Sequence, residues 1–299
     1  MATFTTYDQV GQAEDVQDVI SNISPTDTPM YTAIRPQKVH ARVYQYQQDT
    51  LASPADNKAV EGADPSMATL TATTMKSGNT QILTKAFQVS ATADAIKTYG
   101  RAKETAYNLG KALKELKRDI EFAYVGQDNA AVTGNNTGPV AREMDSASQL
   151  IHAGNTIDAG TNATDPLTEA KLLDAHEAAY TAGGDPTLFM IKPSDSEIVA
   201  GFTGASGRNR TFNDENQTLT NAVNIMVNPY GTLQVVLNRI QMSTHAFLLD
   251  PTMWRSAVLR PTTRTLLAKT GDSDKHFCVY EGGLMHLNDK ASAQINGLS

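Results

Sequence analysis

The chain contains a single cysteine, Cys278, among its 299 residues. One cysteine excludes an internal disulfide and a cysteine-rich metal site, so neither can hold the fold together. The apolar neighbours Phe277 and Val279 predict that Cys278 is a small buried side chain in a strand. These features predict a protein made and kept in a reducing cytoplasm.

Basic residues are absent from positions 1–34, and long apolar runs are absent throughout. A secretory signal requires a basic start and a continuous apolar stretch, and a membrane helix requires ~20 apolar residues. We therefore expect neither export nor membrane insertion. The net charge is −7, and the densest basic segment, 111–118, is balanced by nearby carboxylates. The electrostatic footprint of a nucleic-acid-binding protein is missing.

The six histidines do not form a metal-binding pattern. His176 and Glu177 start an HExxH-like segment, but Tyr180 stands where the second histidine must be. His176 follows Leu172 by four residues, which predicts a core histidine on the apolar side of a helix. No catalytic residue, metal site or cofactor is predicted. A metallohydrolase centred on His176 is the least favoured alternative function.

A long polar excursion is the most informative feature of the chain. Two alternating segments, 39–46 and 82–91, predict strands, and residues 47–81 between them carry only five large apolar side chains. A loop of this length is usually functional, and a two-stranded ribbon alone is marginally stable in water. We expect contacts with a partner, the alternative being a solvated loop. The charged residues predicted to make these contacts are Asp49, Asp56, Lys58, Glu61, Asp64 and Lys76.

A long helix follows the excursion, at residues 100–125. Apolar residues recur at steps of three and four, which is the pattern of one buried helix face. They are Leu109, Leu113, Leu116, Ile120 and Tyr124, with Glu121 assigned to the wet side. Gly110 in the middle costs about 1 kcal/mol relative to alanine. It therefore suggests a bend or a close approach.

An acidic arm, residues 1–38, precedes the excursion. Val16 and Ile20 belong to a short apolar stripe, and Pro25 and Pro29 interrupt helix after it. Asp27 and Met30, together with this stripe, are predicted to contact a neighbouring subunit. The alternative is a capped helix and turn that pack on the chain's own core.

The second half of the chain has α/β character from 145 to 255. Asp165 and Pro166 predict the start of a helix, and Ser194 with Glu197 predicts a capping box opening another. Short strands are predicted at 187–191, 223–227, 233–237 and 246–249. The tail, 256–299, predicts three strands, including a hairpin that turns at Gly282 and Gly283.

The order of elements resembles the major capsid protein of tailed bacteriophages, which has the HK97-like fold. The arm segment from Asp15 to Pro29 and the segment Glu61-Gly62-Ala63-Asp64 are similar to one phage capsid family. The resemblance implies an α+β fold with an N-terminal arm (1–38), an extended loop (39–91) and a peripheral domain (92–144) with a spine helix. It further implies an axial domain (145–255) and closing strands of the peripheral domain (256–299).

The resemblance also implies a function. Copies of the chain would assemble as hexamers and pentamers into a head that encloses double-stranded DNA without sequence-specific binding. Portal, scaffolding and decoration proteins are the implied partners, and the location is the virion. The loop at 201–221 would reach the hexamer and pentamer centres and bring Arg208 and Arg210 to subunit contacts. The alternative is the shell protein of a bacterial nanocompartment with the same fold.

Overall fold

The computed structural model describes residues 24, 26–62, 64, 67, 69–100, 102–160, 165–202 and 225–298. The predictions made for Val16, Ile20, Arg208 and Arg210 lie outside this part of the chain. The helices are α1 (Pro29–Ala33), α2 (Ala91–Ala95), α3 (Glu104–Val125), α4 (Ala147–Leu150), α5 (Glu169–Thr181) and α6 (Asp195–Ala200). The strands are β1 (Arg35–Lys38), β2 (Val43–Gln48), β3 (Thr74–Asn79), β4 (Gln81–Ser90), β5 (Thr156–Asp158), β6 (Leu188–Ile191), β7 (Ile225–Asn228), β8 (Gly231–Leu237), β9 (Ala246–Leu249), β10 (Trp254–Leu266), β11 (Ser273–His286) and β12 (Ala293–Asn296).

A four-stranded sheet in the order β1-β10-β11-β4 packs against the long helix α3. Its centre is the antiparallel pair β10–β11, and β1 joins β10 in parallel. The buried side chains of this layer include Trp254, Tyr124 and Tyr280, the three largest fully enclosed side chains among the described residues. Cys278 is fully buried in β11, which confirms the prediction of a small buried strand residue.

The predicted hairpin at Gly282 and Gly283 is wrong, because β11 runs straight through both residues. A Cβ on Gly282 would lie 2.7 Å from the Ala257 carbonyl oxygen, and one on Gly283 would lie 2.7 Å from that of Asn79. Gly282 is thus needed for close approach to the neighbouring strand β10, and Gly283 for close approach to Asn79 at the end of β3, and neither forms a turn. The segment after His286 leaves this sheet.

A six-stranded mixed sheet in the order β5-β12-β9-β6-β8-β7 forms the second layer. Its inner strands β6 and β9 are buried along their whole length and consist entirely of apolar residues, as expected for strands covered on both faces. Strand β12 belongs here, so the expectation that all of 256–299 closes the first sheet is wrong for Ala293–Asn296. The antiparallel register of β12 with β9 places Ile295 opposite Ala246, inside this core.

The long helix exists but starts later than predicted. Gly100 has φ +75°, a left-handed conformation that cannot begin an α-helix, and α3 starts at Glu104. The buried face contains Leu116, Ile120 and Tyr124 as predicted. Leu113 is 39% exposed, and Ala112 is buried in its place. The inward face is therefore rotated slightly from the one that the leucine spacing predicted.

Two predicted helix starts also require correction. Helix α5 begins after Thr168, whose hydroxyl accepts the Lys171 N–H at 3.3 Å, so Asp165 is not its N-cap. Leu167 and Leu172 flank this cap and share one buried cluster, as in a hydrophobic staple. Helix α6 follows Ser194, but the Ser194 side chain makes no capping hydrogen bond and the predicted capping box is absent.

The predicted first strand, 39–46, forms only over its second half, because residues 39–42 belong to no strand. Residues 35–38 form β1 beside β10, and β2 starts only at Val43. Strand β2 pairs with β3, so that Val43 lies opposite Asn79 in a two-stranded ribbon. Strand β4 was predicted at the right place but pairs with β11 instead of closing the ribbon. The extended loop is therefore residues 43–79, shorter than the predicted 39–91, because alternation identifies strands but not their partners.

Candidate subunit interface

The base of the β2–β3 ribbon is fixed to the body of the chain by Tyr44. Its ring covers Gly78 and Gly283, and a Cβ on either glycine would collide with it. The Tyr44 hydroxyl donates to the Leu284 carbonyl oxygen at 2.6 Å. Burial raises the pKa of this phenol far above its usual value, so the hydroxyl stays a donor. Close packing and one buried hydrogen bond therefore set the direction in which the ribbon leaves the body.

Two further contacts fix the ribbon to the segment that follows β11. The Gln48 amide donates to the Leu287 carbonyl oxygen at 3.0 Å, and the Lys76 ammonium lies 3.1 Å from an Asp289 carboxylate oxygen. The prediction that Lys76 contacts a partner is not supported by this geometry, because its charge is paired within its own chain. Burial raises the pKa of the neighbouring Tyr46 to about 12.

The buried carboxylate of Glu281 makes further polar contacts near the base of the ribbon. Glu281 is 4% exposed and accepts from Arg142 at 2.7 Å and from Arg260 at 2.6 Å. Burial alone would raise the pKa of Glu281, but the hydrogen bonds from both guanidinium groups outweigh it and hold the pKa below its usual value. Thr80, between β3 and β4, lies 3.4 Å from the same carboxylate.

The tip of the extended loop comprises residues 49–73, and every residue of it that the structure describes is exposed. Leu51, Val60, Met67 and Leu70 are 98%, 80%, 90% and 93% exposed. Among the described residues, the Asp49 carboxylate accepts only the adjacent Thr50 N–H, and Asp56 pairs only with Lys58. Glu61 and Asp64 are exposed as well. Four predicted interface carboxylates thus share one projecting acidic segment with Lys58, the fifth predicted interface residue there.

The arm is attached to α3 by Glu121. The Glu121 carboxylate accepts the backbone N–H groups of Met30 at 2.9 Å and Tyr31 at 2.8 Å, and the amide of Asn238 at 2.7 Å. It therefore takes the place of a side-chain cap at α1, since Thr28 makes no capping hydrogen bond. Burial raises the pKa of Glu121, and these three hydrogen bonds only partly oppose the rise.

Met30 requires correction as an interface residue. It is 1% exposed and packs in the core of its own chain together with Ile34. Residues 29–34 therefore follow the alternative reading, a helix and turn on the chain's own core. Asp27, just before it, is exposed.

The histidines form no reactive site in the described ranges. His176 is fully buried, as predicted for a core histidine, and burial lowers its pKa. His276 and His286 both lie on strand β11. No group of three histidine, cysteine or acidic side chains there could hold a metal ion. None of the helices in that part of the chain is long and apolar enough to span a membrane.

Several anchoring residues could not be identified from the sequence. Glu121 lies among alternating basic and acidic residues, and nothing local separates it from exposed neighbours. Tyr44 and Gln48 are ordinary strand residues whose partners, Leu284 and Leu287, are about 240 positions away. At this contact, only Gly78 and Gly283, which face Tyr44, could be recognised from the sequence. A glycine inside a strand indicates that another group approaches the backbone closely.

Comparison with known proteins identifies the family. The model of the family described as SU10 major capsid protein matches residues 3–299. The major capsid protein of Escherichia phage Phieco32 is 31% identical to this chain, in an alignment covering 98% of this chain and 96% of the relative.

Solved structures agree on the fold. A chain of the native GTA particle capsid superposes with a TM-score of 0.67 at 10% identity, covering 98% of this chain and 97% of the other. A chain of Mycobacterium phage Adephagia gives 0.64 at 13% identity, covering 96% and 95%. The SrpI encapsulin of Synechococcus elongatus PCC 7942 gives 0.57 at 10% identity, covering 97% and 93%.

The fold is therefore the HK97-like α+β fold, shared by phage capsids and an encapsulin. Fold alone does not separate a phage head from a nanocompartment shell, whereas the family match does. The chain belongs to the SU10 major capsid protein family, a structural and non-enzymatic family whose members form the shell of the phage head in the virion.

Proposed function

We propose that the extended loop overlaps a neighbouring subunit, and that copies joined in this way form the hexamers and pentamers of the head. The observation that carries this proposal is the exposure of four large apolar side chains at the loop tip, each 80% or more. Covering a leucine, valine or methionine side chain contributes roughly 1.5–3 kcal/mol. Their own chain does not cover them, and a neighbouring copy would.

The presence of two separate sheets supports a division of the subunit into two domains. We assign the four-stranded sheet and α3 to the peripheral domain, and the six-stranded sheet to the axial domain that meets its copies at hexamer and pentamer centres. The link between β6 and β7 contains residues 203–224, where Arg208 and Arg210 lie. Those two arginines remain proposed contacts at these centres.

Our proposals for the contents of the head rest on the net charge of the subunit, and those for its partners rest on what the assembly of a closed shell requires. A subunit with net charge −7 suits a wall that does not bind packaged double-stranded DNA tightly. We propose a portal protein at one vertex, with scaffolding and decoration proteins as further partners.

The test removes the loop tip and keeps the ribbon. Residues 49–73 are replaced by Asn-Gly, which closes a tight turn between β2 and β3. We expect a folded subunit with unchanged far-UV circular dichroism that forms no closed shells by negative-stain microscopy and sedimentation. A matched variant keeps the loop length but changes Leu51, Val60, Met67 and Leu70 to serine. Closed shells from both variants would refute the proposal.

A further inference from the structure

A polar cavity lies beside the base of the extended loop. Its volume is about 540 Å³, within the range of sites that bind small organic molecules. One wall comes from the β2–β3 ribbon, and a second comes from the segment 145–156. We call it the ribbon cavity. Its polar lining includes Tyr46, Lys76, Ser77, Asp145, Asp289 and Gln294.

The ribbon cavity contains one carboxylate without a counter-charge. Of its two aspartates, Asp289 is paired with Lys76 at 3.1 Å. The Asp145 carboxylate accepts the Ala131 N–H at 2.7 Å, but it has no ion-pair partner in the part of the chain that the structure describes. Burial raises the pKa of Asp145, the direction expected for a carboxylate that lacks a nearby cation. One negative charge is therefore left over at this cavity.

The two carboxylates act on the same part of the cavity. Burial raises the pKa of the Tyr46 phenol, and the charges of Asp145 and Asp289 both add to this rise. Both carboxylates therefore lie close to one hydroxyl group. His152 also lines the cavity, but its Nδ1 accepts a backbone N–H, which requires that nitrogen to be unprotonated. His152 is thus neutral in this arrangement and does not balance the charge.

Gln294 adds a buried acceptor without a donor. The side chain is 5% exposed, and its amide nitrogen donates to the Ser148 carbonyl oxygen at 3.1 Å and to the Thr156 hydroxyl at 3.0 Å. Its carbonyl oxygen is buried and accepts no hydrogen bond from any described residue. Because an unpaired buried acceptor costs free energy, a donor supplied by a ligand would be stabilising here.

These features define the chemistry of the ligand. The uncompensated carboxylate disfavours an anion. A metal ion is disfavoured because the described residues bring together no group of three histidine, cysteine or acidic side chains that could hold one. Leu150, Ile151 and Ala153 supply an apolar part of the lining, which can cover an alkyl chain. A positively charged N–H donor at the end of an alkyl chain matches the charge, the acceptor and the apolar wall together.

We propose that the ribbon cavity binds an organic cation, an alkylammonium or alkylguanidinium group that pairs with Asp145 and donates to Gln294. The group belongs either to a free amine or to a lysine or arginine side chain of another copy of the chain. The site does not depend on the proposed overlap of the loop tip with a neighbour, because it lies at the opposite end of the loop.

The first test measures binding by the unassembled subunit. Putrescine and agmatine should raise the midpoint of thermal unfolding and bind saturably by calorimetry. Butanediol, the uncharged counterpart of putrescine, and MgCl₂ at equal ionic strength should do neither. Asp145→Asn keeps an acceptor for the Ala131 N–H but removes the charge, and should lower the affinity for both amines roughly tenfold or more.

The control for this variant is Asp272→Asn, at an exposed position outside the cavity, which should bind putrescine like the unchanged chain. Three results would each overturn the proposal. They are the absence of saturable binding, equal binding of putrescine and butanediol, and equal affinities in the two asparagine variants.

The second test supplies the cation from the chain itself. Ser77 is exposed on β3 and lines the cavity. Ser77→Arg should raise the midpoint of thermal unfolding and abolish putrescine binding, whereas the uncharged Ser77→Gln should do neither. Adding Asp145→Asn to Ser77→Arg should remove the rise, because the guanidinium then lacks its carboxylate. Undiminished putrescine binding by Ser77→Arg would place the amine elsewhere and overturn the proposal.

Closed shells identify the source of the cation once the subunit is shown to bind it. If the source is a free amine, shells bind putrescine as the subunit does, and Asp145→Asn assembles normally. If the source is a side chain of another copy, shells do not bind putrescine, and Asp145→Asn assembles less well. Both results support the site. The loop-tip variants test the overlap separately, because they leave every residue of the ribbon cavity unchanged.

Discussion

The Glu121 carboxylate on α3 accepts the backbone N–H of Met30, which lies 91 residues earlier in the chain, at 2.9 Å. A single acidic side chain thus joins the end of the arm to the long helix. Because it also accepts from Asn238, it links both to the segment after β8. The three regions meet at one carboxylate that is buried away from solvent.

Removing the Glu121 charge should release α1. In Glu121→Ala the N–H groups of Met30 and Tyr31 lose their acceptor, and we expect a loss of about 1–3 kcal/mol in the free energy of unfolding. Hydrogen exchange at Met30 and Tyr31 should accelerate in the unassembled subunit. Glu115→Ala, also on α3 but more exposed, is the control and should change neither measurement. Unchanged exchange at both amides in Glu121→Ala would contradict the role assigned to the carboxylate.

The rotated face of α3 predicts different outcomes for two neighbouring leucines. Leu116 is 1% exposed, so Leu116→Asp buries an unpaired charge and should lower the free energy of unfolding by more than about 3 kcal/mol. Leu113 is 39% exposed, and Leu113→Asp should leave a folded subunit. Urea denaturation of both unassembled variants measures the difference. Similar losses for both would mean that the helix faces the core as the leucine spacing predicted.

Alanine should be poorly tolerated in the middle of β11. Gly282→Ala places a Cβ against the backbone of Ala257 and the ring of Tyr280, and we expect a loss of about 1–3 kcal/mol in the free energy of unfolding. Gly271→Ala is the control, because a Cβ there meets nothing within 4 Å. Thermal unfolding of both variants is the measurement. A Gly282→Ala protein as stable as Gly271→Ala would mean that the strands lie farther apart than described.

The stability of the unassembled subunit should fall as the pH drops from about 6.5 to about 4. His286 is fully buried, stacks on Trp254 at 3.9 Å and contacts Ser292, and burial lowers its pKa to about 4. In this range the unfolded chain binds a proton at His286 that the folded chain does not, so the free energy of unfolding decreases toward acid, by up to about 3 kcal/mol. Below pH 4 both states are protonated and this contribution to the slope ends.

The variant His286→Gln isolates that contribution. Its unfolding free energy should depend less on pH between 6.5 and 4 than that of the unchanged chain. We expect a lower value at pH 7, because packing against Trp254 changes. Burial also lowers the pKa of His176, His245 and His276, so a residual slope of the same sign is expected. His152→Gln, at an exposed position, provides the control. An identical slope in His286→Gln would contradict the assignment.

Much of the fold could be predicted from local pattern. The positions of β4, β6, β8 and β9, the long helix and the polar excursion follow from apolar spacing and from the absence of apolar residues. The pairing of strands could not be predicted in this way. The alternation at 39–46 fits one continuous strand although only the part from Val43 onward forms one, and two consecutive glycines can mark a turn or a close approach. Contacts such as Tyr44 with Leu284, 240 residues apart, decide between such readings.

Only part of the candidate interface could be predicted from the sequence. Exposure of the loop tip follows from its composition, because a segment with few apolar residues cannot bury itself. The internal pairing of Lys76 and the burial of Met30 depend on Asp289 and Glu121, whose proximity no local pattern encodes. Assignment to the surface or the core therefore required the folded structure at those two positions.

The β2–β3 ribbon contacts the body of the chain at the segment that connects the two larger sheets. Gln48 and Lys76 of the ribbon contact residues that lie between β11 of one sheet and β12 of the other. Under the proposed overlap, we expect force that a neighbouring subunit applies at the tip to reach the segment between the two sheets through these two contacts. The overlap therefore predicts that the local curvature of the shell and the angle between the two sheets of each subunit depend on each other.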